Sequence, residues 1–282
     1  MTLHHWLERG EARLRQGPHA ERARRDAVTL LAHLLGRDRA FLMAHPDEIL
    51  TAEGAVRYYA LIDRRLNGEP IQYITGEAEF FGLPFRVTHD VLIPRPETEH
   101  VVEKALDLAC GFARPRIVDV GTGSGAIAVA LACKLPDAAI WATELSAAAL
   151  EVARENAARN GVAERVRLVQ GDWLAPVAGS QFDMVVSNPP YVAQSDRGSL
   201  AVEVREFEPA LALFAGGDGL AAYRRLIPQA LGALDAGGWV VLEIGCGQET
   251  AVRGLLADAG FAEIAFTADL QGIPRVATGQ KP

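Results

Sequence analysis

The sequence predicts an α/β protein: a doubly wound, mostly parallel, seven-stranded sheet preceded by a small helical bundle and a β-hairpin. Three observations predict it. Residues 1–75 carry helical periodicity and no strand pattern. Residues 76–95 gather aromatic and β-branched residues around turn signals. From 96 to 282, apolar runs of strand length alternate with stretches of helix length, as parallel strands joined by crossover helices do.

In the first segment, Leu3, Trp6, Leu7 and Leu14 fall on one helical face. Ala23, Ala27, Leu30, Leu31, Leu34 and Leu35 form a second stripe. Ala55, Tyr59, Ile62 and Leu66 form a third, with Thr51 as its N-cap and Gly68 as its stop. "EFFGLPFRVTHDVLI" then reads as the hairpin joining two domains. Pro96 suits the first position of a helix, and Glu97 and Glu99 suit its first turn. Beyond 115, "RIVDV", "AIWATE", "RVRLVQ", "FDMVVS" and "GWVVLEIG" read as strands, and Ser146 and Gly161 bracket the helix after the second. The final runs, "FAEIAFTAD" and "IPRVATGQ", have only a short connection and are expected to pair antiparallel at the sheet edge.

Composition narrows the function classes. The chain has 282 residues, 49% hydrophobic and 23% charged, enough for one large or two ordinary domains. Its net charge of −8 argues against a generic nucleic-acid binder, which needs clustered Lys and Arg. Cys110, Cys133 and Cys246 are too few and too far apart for a disulfide framework or a zinc site. No metal is expected. With neither a signal peptide nor a membrane span in sight, a cytoplasmic monomer is the expectation.

"VDVGTGSGAIAVAL" places Gly121, Thr122, Gly123, Ser124 and Gly125 between a strand and its helix. Glycines there allow a sharp turn and a close approach to a ligand. Glu144 ends the next strand and can accept both ribose hydroxyls of a nucleoside cofactor. In "GDWLAP", Asp172 can accept from an adenine amino group and Trp173 can lie against the purine. The glycine turn also satisfies the dinucleotide fingerprint, with Ala126 in its last place, so NAD stays open at this point.

"SNPPYV" follows the fourth of these strands. Pro189 restricts Asn188 to an extended backbone, and Pro190 does the same to Pro189. The side-chain carbonyl of Asn188 and the main-chain carbonyl of Pro189 could then accept both hydrogens of one planar –NH2 group, with Tyr191 as a flat wall beside it. An amide or aromatic amine is a poor nucleophile, because its lone pair is delocalised. Holding both N–H bonds on acceptors biases the nitrogen toward a geometry that aims the lone pair at an electrophile. That favours an electrophilic cofactor, S-adenosyl-L-methionine, over a hydride carrier.

At these residues the chain resembles the class I S-adenosylmethionine-dependent methyltransferases, which are Rossmann-like. More narrowly it resembles the release factor glutamine methyltransferases, the PrmC/HemK family. The likeness runs through "GEPIQYITGEAEFFGLPF", "LIPRPETE", "VDVGTGSGAIAVAL", "GDW", "SNPPYV", "EFEPALALFAGGDGL" and "VLEIG" in order. It implies methylation of the side-chain amide nitrogen of the glutamine in the GGQ motif of peptide chain release factors. It also implies an N-terminal bundle that binds the protein substrate. By position, Gly121 to Gly125, Glu144 and Trp173 would bind the cofactor. Asn188 would touch cofactor and substrate, and Pro189, Pro190 and Tyr191 would complete the glutamine pocket. Glu144 stands where many relatives are expected to carry Asp. Arg95 and Glu97 read equally as the mouth of the site or as ordinary capping charges, and Glu243 reads as the end of a strand. The main alternative is an N6-adenine methyltransferase on DNA or RNA, stacking a flipped base on Tyr191. The acidic balance opposes it. An NAD-dependent oxidoreductase would leave Asn188 to Tyr191 idle.

Overall fold

The computed structural model describes residues 1–282. It divides into two compact units, Met1–Glu77 with Leu200–Phe207, and Ala78–Ser199 with Glu208–Pro282.

The first unit is helical. Its helices span Leu3–Leu14, Ala23–Leu35, Arg39–Ala44, Ala52–Leu66 and Ile71–Thr75, and a returning segment adds the short helix Val202–Phe207. Leu3, Leu7, Leu30, Leu31, Tyr58 and Ile62 meet in its core. Thr51 caps its helix as expected, accepting from the amide of Gly54. The third stripe holds at Ile62, with Ala55, Tyr59 and Leu66 partly buried against the same core, but Tyr58 is the more deeply buried tyrosine, and its hydroxyl donates to the carbonyl of Ala27 at 3.0 Å. Tyr59 instead meets Trp6 edge to face at a partly open position. Gly10 lies against Tyr58 so closely that a Cβ would sit 2.3 Å from the phenol oxygen. Arg65 is 2% exposed and holds this unit together. Its guanidinium donates to Asp26 at 2.7 Å, to Glu203 at 3.0 Å and to the carbonyl of Glu69 at 2.9 Å.

A hairpin of β1 (Glu77–Phe80) and β2 (Leu83–Arg86) opens the second unit, all but its first residue, Glu77, belonging there. The helix Glu99–Ala109 follows, entered through a turn that starts at Pro96. The sheet contains β3 (Arg116–Val120), β4 (Ala139–Glu144), β5 (Val166–Gln170), β6 (Phe182–Ser187), β7 (Leu234–Glu243), β8 (Ala262–Ala268) and β9 (Pro274–Gln280). Their order is β5-β4-β3-β6-β7-β9-β8. β3 pairs in parallel with both β4 and β6, while β9 runs antiparallel to β7 and to β8. The expected edge pairing of the last two strands is therefore present.

Alternation along each strand separates two cores. Ile117, Ile140, Met184 and Val241 face the helices Glu99–Ala109 and Ala126–Lys134. Val118, Val185, Val240 and Leu242 face the helices Ala221–Ala233 and Glu249–Ala259. Strand order reverses at β3, so a crevice opens beyond the carboxyl ends of β3 and β6. Ser187 fastens these two ends, its hydroxyl donating to the carbonyl of Val120 at 2.6 Å.

Asn156, wholly buried in the helix Ala147–Arg159, fixes the loop above this crevice. Its side chain accepts from the amide of Arg86 at 2.6 Å and donates to the carbonyls of Arg86 and Ser124 at 2.9 and 2.8 Å. One amide thus ties the end of the hairpin to the glycine turn.

Two substitutions test these clamps, and a third, at a half-exposed pair, serves as their control. Asp26→Ala leaves the buried Arg65 short of its closest counter-charge and is expected to cost about 3 kcal/mol, read as faster amide hydrogen exchange along Ala23–Leu35. Arg13→Ala, at the half-exposed pair with Asp63, is expected to cost under about 1 kcal/mol. Asn156→Ala strands three backbone groups, the carbonyl of Ser124 in a buried bond and the amide and carbonyl of Arg86 in partly buried ones. It is expected to destabilise the second unit by about 2–4 kcal/mol in denaturant titration; a change below about 1 kcal/mol would contradict the clamp.

Candidate active site

The crevice contains a cavity of about 380 Å³. The glycine turn after β3, the end of β4, the loop after β5 and the loop after β6 all contribute to its lining.

Gly121 and Gly123 have φ of +71° and +55°, the left-handed region that only glycine enters without strain. A Cβ at either would meet no protein atom within 4 Å, so both glycines border open space. The amides of Gly121 and Thr122 both donate to the carbonyl of Thr143, which pins the turn to β4. Gly125 does not line the cavity. It starts the helix Ala126–Lys134 at φ +82°, where a Cβ would press on Ala153 at 3.2 Å, so its role is packing.

Glu144 accepts from the amide of Gly123 with one carboxylate oxygen and from the amide of Ser146 with the other, each at 2.9 Å. Two bonds leave a carboxylate with further acceptor positions, enough for a pair of hydroxyls. Asp172 and Trp173 also line the cavity. Trp173 has φ +51°, a conformation that costs about 1 kcal/mol or more for a non-glycine residue. Arg225 pairs with Asp172 at 2.6 Å and covers the Trp173 ring at 5.7 Å.

Asn188, Pro189 and Pro190 line the cavity opposite the glycine turn. The Asn188 side-chain amide donates through Nδ2 to Thr98 Oγ1 at 3.0 Å, leaving Oδ1 as its remaining polar atom. Tyr191 departs from the expected wall. Its ring packs against the sheet core and is not part of the cavity lining. Its hydroxyl donates to Glu243 at 3.1 Å, and its carbonyl accepts from Gln248 at 3.0 Å. Burial, with Glu243 next to it, pushes the phenol well above its ordinary value. The ring is turned inward, where its hydroxyl meets a buried carboxylate.

The remaining walls come from two strings that the resemblance marked without giving them firm roles, and Arg95 does lie in the lining. Leu92, Pro94, Arg95 and Thr98 come from "LIPRPETE", and Leu211 and Phe214 come from the segment after Pro209. That segment pairs with the chain leaving Tyr191: Val192 and Ala215 exchange backbone bonds with Leu213 and Val192, each at 2.9 Å. Arg95 pairs with the buried Glu208, whose carboxylate also accepts from the amide of Ile93.

Asp119 lies beneath the glycine turn, 1% exposed. One oxygen accepts from the Thr122 hydroxyl at 2.6 Å and from the amide of Ala128 at 3.2 Å, and the other has no partner. Burial pushes its carboxyl up to about 7, against the pull of those two donors and with added repulsion from Glu144. Asp119 therefore holds its proton more tightly folded than unfolded. Its contribution to stability is fully present below the ordinary aspartate value and is lost as pH rises through about 7. Asp119→Asn removes this titration. The melting temperature of the unmodified chain minus that of the variant is expected to fall between about pH 5 and about pH 8; a constant difference would refute the assignment.

Comparison with known proteins agrees with the geometry. The family profile described as PrmC N-terminal domain matches residues 5–76, and the methyltransferase small domain matches residues 90–258. The release factor glutamine methyltransferase of Burkholderia pseudomallei (strain K96243) is 49% identical over 264 residues, covering 91% of this chain and 92% of its own. That of Moorella thermoacetica is 47% identical over 260 residues, covering 92% and 91%. Among solved structures, a methyltransferase from Pyrococcus furiosus aligns over 71% of this chain and 90% of its own, with TM-score 0.51 and 21% identity. The hMettl16 catalytic domain, solved with an RNA hairpin, aligns over 89% and 91%, with TM-score 0.60 and 18% identity. These two likenesses speak for the fold. With both family profiles and relatives matched along nearly its whole length, the chain belongs to the release factor glutamine methyltransferase family.

Proposed function

We propose that this protein transfers a methyl group from S-adenosyl-L-methionine to the N5 side-chain amide nitrogen of the glutamine in the GGQ motif of peptide chain release factors. The observation that carries this reading is the sharing of one cavity by two sets of groups. The Asn188–Pro190 bracket and the glycine turn with Glu144 line the same space.

The residues present fit the cofactor. Gly121 and Gly123 border open space that any other side chain would enter. The Glu144 carboxylate is fixed across the turn for the two ribose hydroxyls, and Asp172 and Trp173 suit an adenine amino group and ring face. When bound, the cofactor supplies a methyl carbon made electrophilic by a sulfonium. Every other requirement falls on the chain itself. Asn188 Oδ1 and the Pro189 carbonyl accept the two N–H bonds of the glutamine amide and hold its nitrogen in place. The two prolines keep those oxygens from turning away. Fixed dipoles of this kind need no reorganisation as the carbon–nitrogen bond forms. The nitrogen loses one proton to water after it is alkylated, so no strong base is required beforehand. The apolar surface of Leu92, Leu211 and Phe214 limits the water around the reacting amide. Tyr191 contributes from behind the bracket.

Mass spectrometry of the GGQ-containing tryptic peptide of a release factor tests this reading. Incubation with the protein and S-adenosyl-L-methionine is expected to add one methyl to the glutamine. Asn188→Ala is expected to lower kcat/KM by about a hundredfold or more. Label appearing in adenine of added DNA or RNA, with none on the glutamine, would overturn it.

A further inference from the structure

Two strings, "LIPRPETE" and "VLEIG", hold Thr98 and Glu243, to which the chemistry described above gives no role. The fold joins them behind the bracket. Thr98, from the first, donates its hydroxyl proton to the carboxylate of Glu243, from the second, at 2.5 Å. Thr98 is 4% exposed and Glu243 1%. The other carboxylate oxygen takes the Tyr191 hydroxyl at 3.1 Å, and the Tyr223 hydroxyl donates to the Glu243 carbonyl at 2.9 Å.

A hydroxyl has one proton. With that proton committed to Glu243, Thr98 Oγ1 can face Asn188 only as an acceptor. Its partner must then be Nδ2, and Nδ2 lies 3.0 Å away. A side-chain amide has nearly the same shape in both of its flips, but the two present opposite groups. With Nδ2 on Thr98, Oδ1 is the group left for a substrate N–H. In the other flip the bracket would offer a donor to a donor.

We infer that Thr98 and Glu243 are positioning residues that fix the amide orientation of Asn188, so that its oxygen and not its nitrogen meets the substrate –NH2. The inference rests on the reading of Asn188 Oδ1 as the acceptor for the glutamine amide. Proton direction runs one way along the chain, from Asn188 Nδ2 to Thr98 Oγ1 and from Thr98 to Glu243. Neither residue touches the reacting atoms.

The relay requires Glu243 as a carboxylate. A protonated Glu243 can itself donate to Thr98, freeing the threonine proton to turn toward Asn188 and favour the wrong flip. Burial pushes Glu243 up to about 7, with the Thr98 and Tyr191 hydroxyls opposing. The other groups that face it are Glu97, from the turn at Pro96, which raises it further, and Arg275, from β9, which lowers it. Tyr223 approaches from the helix Ala221–Ala233, and Arg95 acts on Tyr191 at longer range. The competent form therefore fills as pH rises through about 7.

Thr98→Val keeps the shape and removes the hydroxyl. It is expected to lower kcat/KM for the release factor by about tenfold or more, because the competent flip then leaves Nδ2 against a methyl group with no acceptor and falls to about a tenth of the population or less. Calorimetric Kd for S-adenosyl-L-methionine is expected to stay within about threefold. Thr98→Ser, which restores the hydroxyl, is expected to recover most of the loss. The unmodified chain is expected to lose kcat/KM as pH falls from about 8 to about 6, and Glu243→Gln, which cannot titrate there, is expected to lose that limb. Full kcat/KM in Thr98→Val, alongside an inactive Asn188→Ala, would overturn the relay and leave the bracket standing. Active Asn188→Ala would remove the bracket itself. Parallel losses of cofactor affinity and activity in Thr98→Val and Thr98→Ser would assign Thr98 a merely structural role and overturn the proposal. If Thr98→Val fails to fold, the Thr98→Ser and Glu243→Gln pH profiles decide: a limb retained in Glu243→Gln refutes it.

Discussion

The site depends on β3 and β6 lying side by side in parallel. The pairing of Ile117, Val118 and Asp119 with Met184, Val185 and Val186 fixes the register. From that register, Val120 and Ser187 end level, and the hydroxyl of Ser187 bonds the two ends together. The connection from β3 leaves toward one face of the sheet and the later helices cover the other, so no element fills the gap between them. A turn that bends sharply and a turn that cannot bend are thereby set face to face. The glycines after β3 have conformational freedom that their surroundings remove by hydrogen bonds to Thr143. The prolines after β6 have φ fixed by their own rings and so little freedom to remove.

Much of this was legible in the chain because strong local rules express it. Short apolar runs such as Ile117-Val118 and Met184-Val185-Val186 mark strands buried on both faces. Ser146 and Thr51 announce helix starts because a side-chain oxygen can take the free amide three residues on. Pro189 and Pro190 restrict backbone geometry before any tertiary contact forms, and Gly121 and Gly123 admit a left-handed turn that other residues resist. The harder residues share a different property. Thr98 and Glu243 are 145 positions apart, and a threonine after Pro-Glu or a glutamate after Val-Leu has no periodicity that assigns a partner. The helices Val202–Phe207 and Ala210–Leu213 are too short for a hydrophobic stripe to show. Segment Leu200–Phe207 belongs to the first unit because Glu203 is bonded to Arg65, a pairing that only the fold displays.

Tyr191 shows how a correct motif can mislead about one of its members. Its position next to two prolines is dictated locally, but its ring direction is not. A phenol is attracted to the strongest acceptor it can reach in a low-dielectric surrounding. Here that acceptor is Glu243, under the bracket, and not the space in front of it. The same preference explains why the glutamate at the end of β7 is tolerated at 1% exposure. A buried carboxylate is costly unless donors surround it, and Thr98 and Tyr191 supply two on its side chain.

Two buried carboxyls, Asp119 and Glu243, therefore lie under the two halves of the site, one below the glycine turn and one behind the amide bracket. Both are shifted in the same direction by burial, but they differ in what their donors do. The donors on Asp119 are Thr122 and Ala128, members of the turn and helix it supports, so its bonds fix a backbone path. The donors on Glu243 are side chains that touch, or belong to, the bracket, so its bonds fix a direction of protons. A backbone path survives a change of protonation with some loss of stability. A direction of protons does not, since one added proton can reverse every bond in the chain that leads to Asn188. Stability and activity are thus expected to follow pH in opposite senses across the same range, the first falling and the second rising as these carboxyls ionise.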